Sequence, residues 1–196
     1  MELCRKIVKE LQKQIKSFSK GFYDTFKYTV TGRNETHPRT IGLLCKILWD
    51  IKTISAVYVD MRFNEGRKKK FQPDLTGVDN RGNPIIFIDY ESPNSSDARV
   101  PDKDVKAYTN WRTQKNQAPY LIITTLPDKE ALDWEIRWTA RGRWNYLFRD
   151  NKSKSKIKRN PLRFWRLHYR NCLKGKDTRN VFFADINGKS INLIKM

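Results

Sequence analysis

The sequence is poor in cysteine and histidine, and it has no long run of apolar residues. Its three cysteines, Cys4, Cys45 and Cys172, are widely spaced and odd in number, which favours reduced thiols over a disulfide framework. Two histidines and no Cys-x-x-Cys pair argue against a structural zinc site. No stretch approaches the roughly 20 apolar residues of a membrane-spanning helix, and charged residues interrupt any secretory pattern after Met1. We therefore expect a cytoplasmic protein with no membrane partner.

Acidic residues are also scarce relative to basic ones. The chain has 40 Lys and Arg against 21 Asp and Glu, a net charge of +19. With 12% aromatic residues, this surplus favours a polyanionic partner such as nucleic acid. A solvated basic surface is the alternative, and charge alone does not identify a chemistry.

The spacing of apolar residues predicts an α/β protein. Helices are predicted over residues 2–19, 38–50, 102–114 and from 127 onward. Strands are predicted over 55–63, 72–78, 84–91 and 119–126, with a loop over 64–70. Residues 1–149 are expected to form the core, 150–160 an exposed basic loop, and 161–196 a basic helix and hairpin that extend from the core and pack on it, all within one domain.

Two groups of basic residues are candidates for binding phosphates. On the predicted C-terminal helix, the cations recur at the spacing of a single stripe, with apolar residues beside them. The stripe consists of Arg163, Arg166, Arg170 and Lys174. The second group lies in the loop over 64–70 and consists of Arg67, Lys68, Lys69 and Lys70. Either group is also compatible with a solvated surface.

Two aspartates lie on the arms of the predicted hairpin over 72–91. If the polar turn Asp79–Asn83 is centred between Arg81 and Gly82, paired residues have numbers that add up to 163, as Asp74 and Asp89 do. Directly paired residues have Cβ atoms about 4.5–5.5 Å apart. A turn centred on Arg81 itself would break this register.

Glu91 would join the two aspartates, because alternate residues of a strand point to the same face. Carboxylates that converge repel one another, so a positive group has to compensate them. A hard divalent cation such as Mg²⁺ or Mn²⁺ is one solution, and it could activate water for attack on phosphate. Ion pairs with arginines of this basic chain are the alternative for Asp89 and Glu91.

The segments Gln72-Pro73-Asp74 and Ile85–Glu91 together resemble the PD-(D/E)xK nuclease superfamily, over roughly residues 35–126. The resemblance implies a restriction-endonuclease-like core, in which helices flank a central mixed sheet. It implies a metal-dependent endonuclease acting on nucleic acid, DNA foremost, with Asp74 and Asp89 as metal ligands. It also implies an acidic residue near the first core helix. Glu35 is the candidate, although a carboxylate at a helix N-terminus is favourable without any catalytic role.

The sequence departs from the superfamily pattern where Glu91 replaces the usual lysine. Glu91 would then serve as a third ligand and catalytic carboxylate. Lys103 or Lys106 is the candidate amine, and both also fit as surface lysines. Tyr108 is expected in the core. A non-catalytic nucleic-acid-binding protein on the same fold and an RNA-binding accessory protein remain alternatives, and a homodimer remains open.

Overall fold

The computed structural model describes residues 1–17, 36–65, 68–91, 105–111, 118–125, 174–187 and 190–195. Within these ranges the chain forms two long helices, a helical segment over 105–111 and eight strands. Several predictions lie outside the described residues. They concern Glu35, Arg67, Lys103, the helix from residue 127, the loop over 150–160, and the helix carrying Arg163, Arg166 and Arg170.

The two long helices agree with the sequence pattern. Helix α1 spans Glu2–Ser17 and α2 spans Thr36–Trp49. One side of α1 is buried in the core and consists of Cys4, Ile7, Val8, Leu11 and Ile15. Pro38 lies in the first turn of α2, where a missing N–H leaves no hydrogen bond unmade. Among the described residues, no helix is long and apolar enough to cross a membrane.

Six strands form one mixed sheet, and a mixed sheet agrees with the prediction. Their bounds are β1 Ala56–Val59, β4 Leu75–Val78, β5 Pro84–Glu91, β6 Tyr120–Thr125, β7 Val181–Asn187 and β8 Ser190–Lys195, in the spatial order β1-β4-β5-β6-β7-β8. Strands β5, β6 and β7 are parallel, whereas the other neighbouring pairs are antiparallel. The run of apolar residues in β6 follows from this position, because a central parallel strand is covered on both faces.

The two faces of the sheet carry different layers. Helices α1 and α2 pack on the helical face, against alternating strand residues such as Ile86, Ile88, Leu121 and Ile123. On the opposite face, six rings form an aromatic cluster: Phe63, Phe71, Phe87, Tyr108, Trp111 and Tyr120. The side chain of Tyr108 is fully buried, which confirms its predicted place in the core.

The register predicted for the central hairpin is confirmed. Leu75 pairs with Ile88 and Gly77 with Ile86, so the numbers of paired residues add up to 163. Next to the turn, Val78 pairs with Pro84, so the turn is centred on Arg81 and not between Arg81 and Gly82 as the prediction assumed. A bulge between Gly77 and Val78 shifts the pairing by one residue and restores the predicted register beyond it. In the turn, Oδ1 of Asp79 accepts hydrogen bonds from two backbone N–H groups, at 2.9 and 2.8 Å. The register therefore holds toward the open end of the hairpin, where the two candidate aspartates lie.

The strand predicted over 55–63 is present but shorter, and the loop predicted over 64–70 is wrong. Strand β1 ends at Val59, and Asp60 follows with a φ of 52°, a left-handed conformation that Asp tolerates better than most residues. Strands β2, Phe63–Glu65, and β3, Lys68–Phe71, then form a separate antiparallel pair. Phe63 and Phe71 anchor this hairpin in the aromatic cluster, a long-range effect that the basic composition of the segment conceals.

The C-terminal hairpin is not an extension of the core, contrary to the prediction. Strand β7 pairs in parallel with β6, so β7 and β8 complete the central sheet. The physical reason is the apolar run Val181–Ala184, which is buried like a central strand. Asn187 pairs with Ser190 and so belongs to β7, although the dipeptide Asn187-Gly188 predicts a turn at this point.

Two glycines should respond to alanine with opposite signs. A Cβ atom on Gly77 would lie 2.7 Å from Cγ2 of Ile86 and 3.2 Å from Cδ1 of Ile54, whereas a Cβ on Gly42 in α2 meets nothing within 4 Å. Gly77→Ala should lower the free energy of unfolding by about 1–3 kcal/mol through overpacking. Gly42→Ala should raise it by up to about 1 kcal/mol, because alanine favours the helix. Urea unfolding of both variants checks this, and equal effects would contradict the close packing at Gly77.

Candidate functional site

Asp74 and Asp89 lie next to each other at the open end of the β4–β5 hairpin. The backbone N–H of Asp74 donates to Oδ1 of Asp89 at 2.6 Å, and the N–H of Tyr90 donates to Oδ2 of Asp74 at 2.8 Å. Each aspartate is therefore linked to the other strand through a backbone group. The two residues lie one position beyond the last ladder pair, Leu75 with Ile88, so the strand register brings the two carboxylates together.

The carboxylate of Asp89 is buried and is oriented by a hydrogen bond from a tyrosine hydroxyl. Its side chain is 6% exposed, and Oδ2 accepts a hydrogen bond from the hydroxyl of Tyr120 at the start of β6. Tyr120 belongs to the aromatic cluster, where it contacts Phe71 and Tyr108. The cluster thus holds fixed the ring that orients Asp89.

His37 in the first turn of α2 contacts the other aspartate. Its Nε2 lies 3.2 Å from Oδ2 of Asp74, and its ring centroid lies 5.8 Å from that of Tyr90. The hydrogen bond with Asp74 raises the pKa of His37, as do the charges of Asp74 and Asp60, whereas burial lowers it. The contact with Asp74 was missed, because nothing local signals a partner 37 residues away.

Glu91 is the last residue of β5 and lies beyond Asp89 on the same side of the strand. It is partly buried and lies in register with Thr124 of β6, which in turn lies in register with Asp185 of β7. Asp185 is 1% exposed and was not predicted as a site residue. A lone acidic residue within the apolar run of β7 was the signal that could have identified it.

The donor set fits a hard divalent cation in its chemistry. Asp74 and Asp89 supply carboxylate oxygens side by side, and Oδ1 of Asp74 accepts no hydrogen bond within the described part of the chain. The described side chains do not group three or more His, Cys, Asp or Glu residues as metal ligands. Two carboxylates are nevertheless the number that Mg²⁺ commonly takes from a protein, with substrate phosphate and water completing its shell.

The predicted phosphate-binding residues are only partly described. The backbone of Lys68, Lys69 and Lys70 lies in β3, which leads through Phe71 and Pro73 directly to Asp74. Lys174 is exposed in a turn, and Lys106 is exposed on the helical segment 105–111. The β2–β3 hairpin, which we name the basic arm, is therefore joined to the candidate site by a short connection. Phe71 and Pro73 in this connection are buried.

Removing one hydroxyl should test how Asp89 is held. Tyr120→Phe keeps the ring but deletes the donor to the Asp89 carboxylate, so we expect a loss of about 1.5–3 kcal/mol in the free energy of unfolding. Tyr108→Phe is the matched control, because its hydroxyl donates to the neutral carbonyl of Ala118 at 2.7 Å and should cost about 0.5–1.5 kcal/mol. Urea unfolding in EDTA measures both, and an equal or larger loss in the control would contradict the charged bond.

The pair between His37 and Asp74 predicts a pH-dependent contribution to stability. Because the folded-state pKa of His37 is raised above its ordinary value of 6.5, the contribution is complete below that value and is lost as the pH rises through the raised pKa. His37→Gln should therefore lower the melting temperature at about pH 5.5 but much less at about pH 8.5. The side chain is 44% exposed, so the pair contributes no more than about 1 kcal/mol. An equal difference in melting temperature between wild type and His37→Gln at both pH values would contradict this contribution of the pair.

Comparison with known proteins adds little to this geometry. No protein-family model and no curated protein matches the sequence at a significant level. Among solved structures, the chain aligns with the YaeQ protein from Xanthomonas axonopodis pv. citri at a TM-score of 0.26 and 15% sequence identity. The alignment covers 83% of this chain and 75% of that protein. Similarity at this level carries no conclusion about fold or function, so the candidate site stands on its own residues.

Proposed function

We propose that this chain is a metal-dependent nuclease that hydrolyses phosphodiester bonds of nucleic acid, DNA foremost, on a restriction-endonuclease-like core. The observation that carries the proposal is the pairing of Asp74 with Asp89 across the β4–β5 hairpin, with Glu91 beyond on the same side. The superfamily core that the resemblance implies runs in the order helix, three strands, helix, strand. The order α2, β1, β4, β5, helical segment 105–111 and β6 supports the proposal, with the separate β2–β3 hairpin inserted after β1.

The contacts of each residue indicate whether it would bind the metal ion or orient a ligand. Asp74 and Asp89 would hold Mg²⁺ or Mn²⁺, with Glu91 as a third oxygen ligand. When bound, such an ion polarises the phosphoryl oxygen and makes water a stronger nucleophile. Tyr120 orients Asp89 through its hydroxyl, and the N–H of Tyr90 orients Asp74.

Charge around the site would bring the substrate close. His37 places a positive charge beside Asp74 and reduces the repulsion between the two aspartates at low pH. The basic arm formed by β2 and β3 would contact the phosphate backbone on either side of the cleaved bond. Glu91 cannot donate a proton or stabilise negative charge as a lysine would, so Lys106 is the nearest described candidate for that role along the chain.

A specific observation favours a second candidate, a nucleic-acid-binding protein without catalysis. Both oxygens of Asp89 accept hydrogen bonds from within the chain, and glutamate stands where the superfamily has lysine. A carboxylate oxygen has two acceptor sites, so these bonds are compatible with a bound cation and do not require one. Cleavage separates the two candidates, since both bind nucleic acid.

Plasmid cleavage tests the proposal. The purified protein should cut supercoiled DNA in Mg²⁺ or Mn²⁺ and stop in EDTA. Glu91→Ala should abolish cutting if Glu91 is a ligand, whereas Asp50→Ala, which removes an exposed acid that pairs with Lys46, should cut like wild type. Binding without cleavage in either metal would favour the second candidate. Normal cutting by Glu91→Ala would remove Glu91 from the ligand set.

A further inference from the structure

Helix α1 carries a dense set of cations on its exposed side. At 3.6 residues per turn, the five basic residues of the helix fall within an arc of about 100°. All five are exposed, and they form what we name the α1 cationic face: Arg5, Lys6, Lys9, Lys13 and Lys16. The exposed Glu2 falls within the same arc in the first turn, so this side of the helix carries five cations against one acid, a net charge of +4.

Most of these cations have no acidic partner. Lys13 lies 3.6 Å from Glu10, and on α2 Lys46 pairs with Asp50 at 2.9 Å. Within the described part of the chain, no carboxylate lies within 4.0 Å of the other four members of the α1 cationic face. Their charge is therefore available to an external anion rather than consumed in surface ion pairs.

The other side of α1 decides which kind of polyanion fits. Its apolar residues are buried in the core, and Oε1 of Gln12 accepts a hydrogen bond from the N–H of Ile191 in β8 at 2.5 Å. A helix that lies on a lipid bilayer inserts its apolar face, and α1 has no such face left. A phosphate backbone requires only cations at suitable spacing on a fixed support.

We propose that the α1 cationic face binds the phosphate backbone of double-stranded nucleic acid, as a contact surface separate from the candidate site. From Arg5 to Lys16 the helix rises about 16 Å, which matches about five base steps of a duplex at 3.4 Å per step. Helix α1 packs against β8, three strands away from β5. The inference rests on the proposed function only in taking nucleic acid as the polyanion, and it needs no catalysis.

A charge-neutralising variant with a matched control tests this surface. The variant is Arg5→Gln with Lys9→Gln and Lys16→Gln, and the control removes the same charge elsewhere through Lys46→Gln, Lys52→Gln and Arg81→Gln. Binding to a fluorescent DNA duplex of about 20 base pairs is measured by anisotropy in EDTA, between about 50 and 200 mM salt. The slope of log affinity against log salt should fall by about 2.7 in the variant, since each lost phosphate contact removes about 0.9.

The control and a third protein make the result decisive. The control should change the slope by less than about 1, and a charge-retaining variant with Arg5→Lys, Lys9→Arg and Lys16→Arg should bind like wild type. Equal changes in variant and control would overturn the proposal. So would normal duplex binding by the variant combined with loss of binding to phosphatidylserine vesicles, which would assign the face to a membrane. Because EDTA removes the metal that cleavage needs, this experiment measures duplex binding alone. A protein that proves to have no nuclease activity would therefore leave the proposal for the α1 cationic face untouched.

Discussion

Asp74→Asn should lower the rate of metal-dependent DNA cleavage by at least about 100-fold. Changing a residue that only hydrogen-bonds to a metal ligand already lowers metal affinity or activity by about 10–100-fold, and Asp74 is proposed as a ligand itself. The substitution removes the negative charge on which a cation at this site depends. It preserves the local structure, because the amide oxygen of Asn can still accept the hydrogen bond from the N–H of Tyr90. The bond to Asp89 comes from the backbone of residue 74 and also survives.

The stability of this variant separates a metal site from an ion pair. Without metal, Asp74→Asn loses only its charge opposite His37, so the free energy of unfolding should change by no more than about 1 kcal/mol. Asp50→Asn is the control, with the same change of charge at an exposed residue that pairs with Lys46. It should cut DNA like wild type. A loss of several kcal/mol in EDTA for Asp74→Asn, with cleavage unchanged, would make Asp74 a structural residue.

Phe71→Ala should lower the free energy of unfolding by about 3–5 kcal/mol. Phe71 is 2% exposed, and its ring contacts rings from four separate parts of the chain, at centroid distances of 5.2–6.0 Å. Removing it leaves a cavity between the β2–β3 hairpin and the central sheet. Since Phe71 is three residues before Asp74, we also expect the arm to lose its fixed position beside the site.

Exposed aromatic residues provide the control for this effect. Trp49 at the end of α2 is 67% exposed, so Trp49→Ala should change stability by no more than about 0.5 kcal/mol. Urea unfolding measures both variants. A loss below about 1 kcal/mol for Phe71→Ala would mean that the hairpin does not depend on the aromatic cluster for its docking.

The features that the sequence predicted correctly are those encoded locally. The hairpin itself follows from the polar turn Asp79–Asn83 and the apolar strands that flank it, which are visible in consecutive residues. Its register also needs the bulge between Gly77 and Val78, because the turn alone would centre the pairing on Arg81. The buried side of α1 follows from helical periodicity in the same way. The proximity of Asp74 and Asp89 was predicted correctly, although the bulge that produces this register was not predicted.

The features that the sequence concealed depend on distant contacts. Four consecutive basic residues indicated a loop at 67–70, but Phe63 and Phe71 hold three of those residues in a strand through the aromatic cluster. The hydroxyl of Tyr120 reaches an acceptor 31 residues earlier in the chain. Local pattern cannot specify such pairs, because they form only when β6 joins β5.

The prediction for the C-terminal hairpin was wrong for a related reason. A basic segment preceding Val181 suggested a separate extension, whereas the buried strand β7 lies next to β6 and brings Asp185 into the row that begins at Glu91. Sequence distance was a poor guide here, since parallel neighbours require long connections. An acidic residue within a buried strand was the better indication of a site near the sheet.

Direct titration of metal into the protein tests the proposed site most directly. Calorimetric titration of Mn²⁺ into wild type, without nucleic acid, should give one bound ion per chain, and Asp74→Asn should bind it at least about 10-fold more weakly. Asp50→Asn should bind like wild type, which excludes a general effect of charge. Absence of Mn²⁺ binding in wild type, or equal affinity in wild type and Asp74→Asn, would contradict a metal site at Asp74 and Asp89.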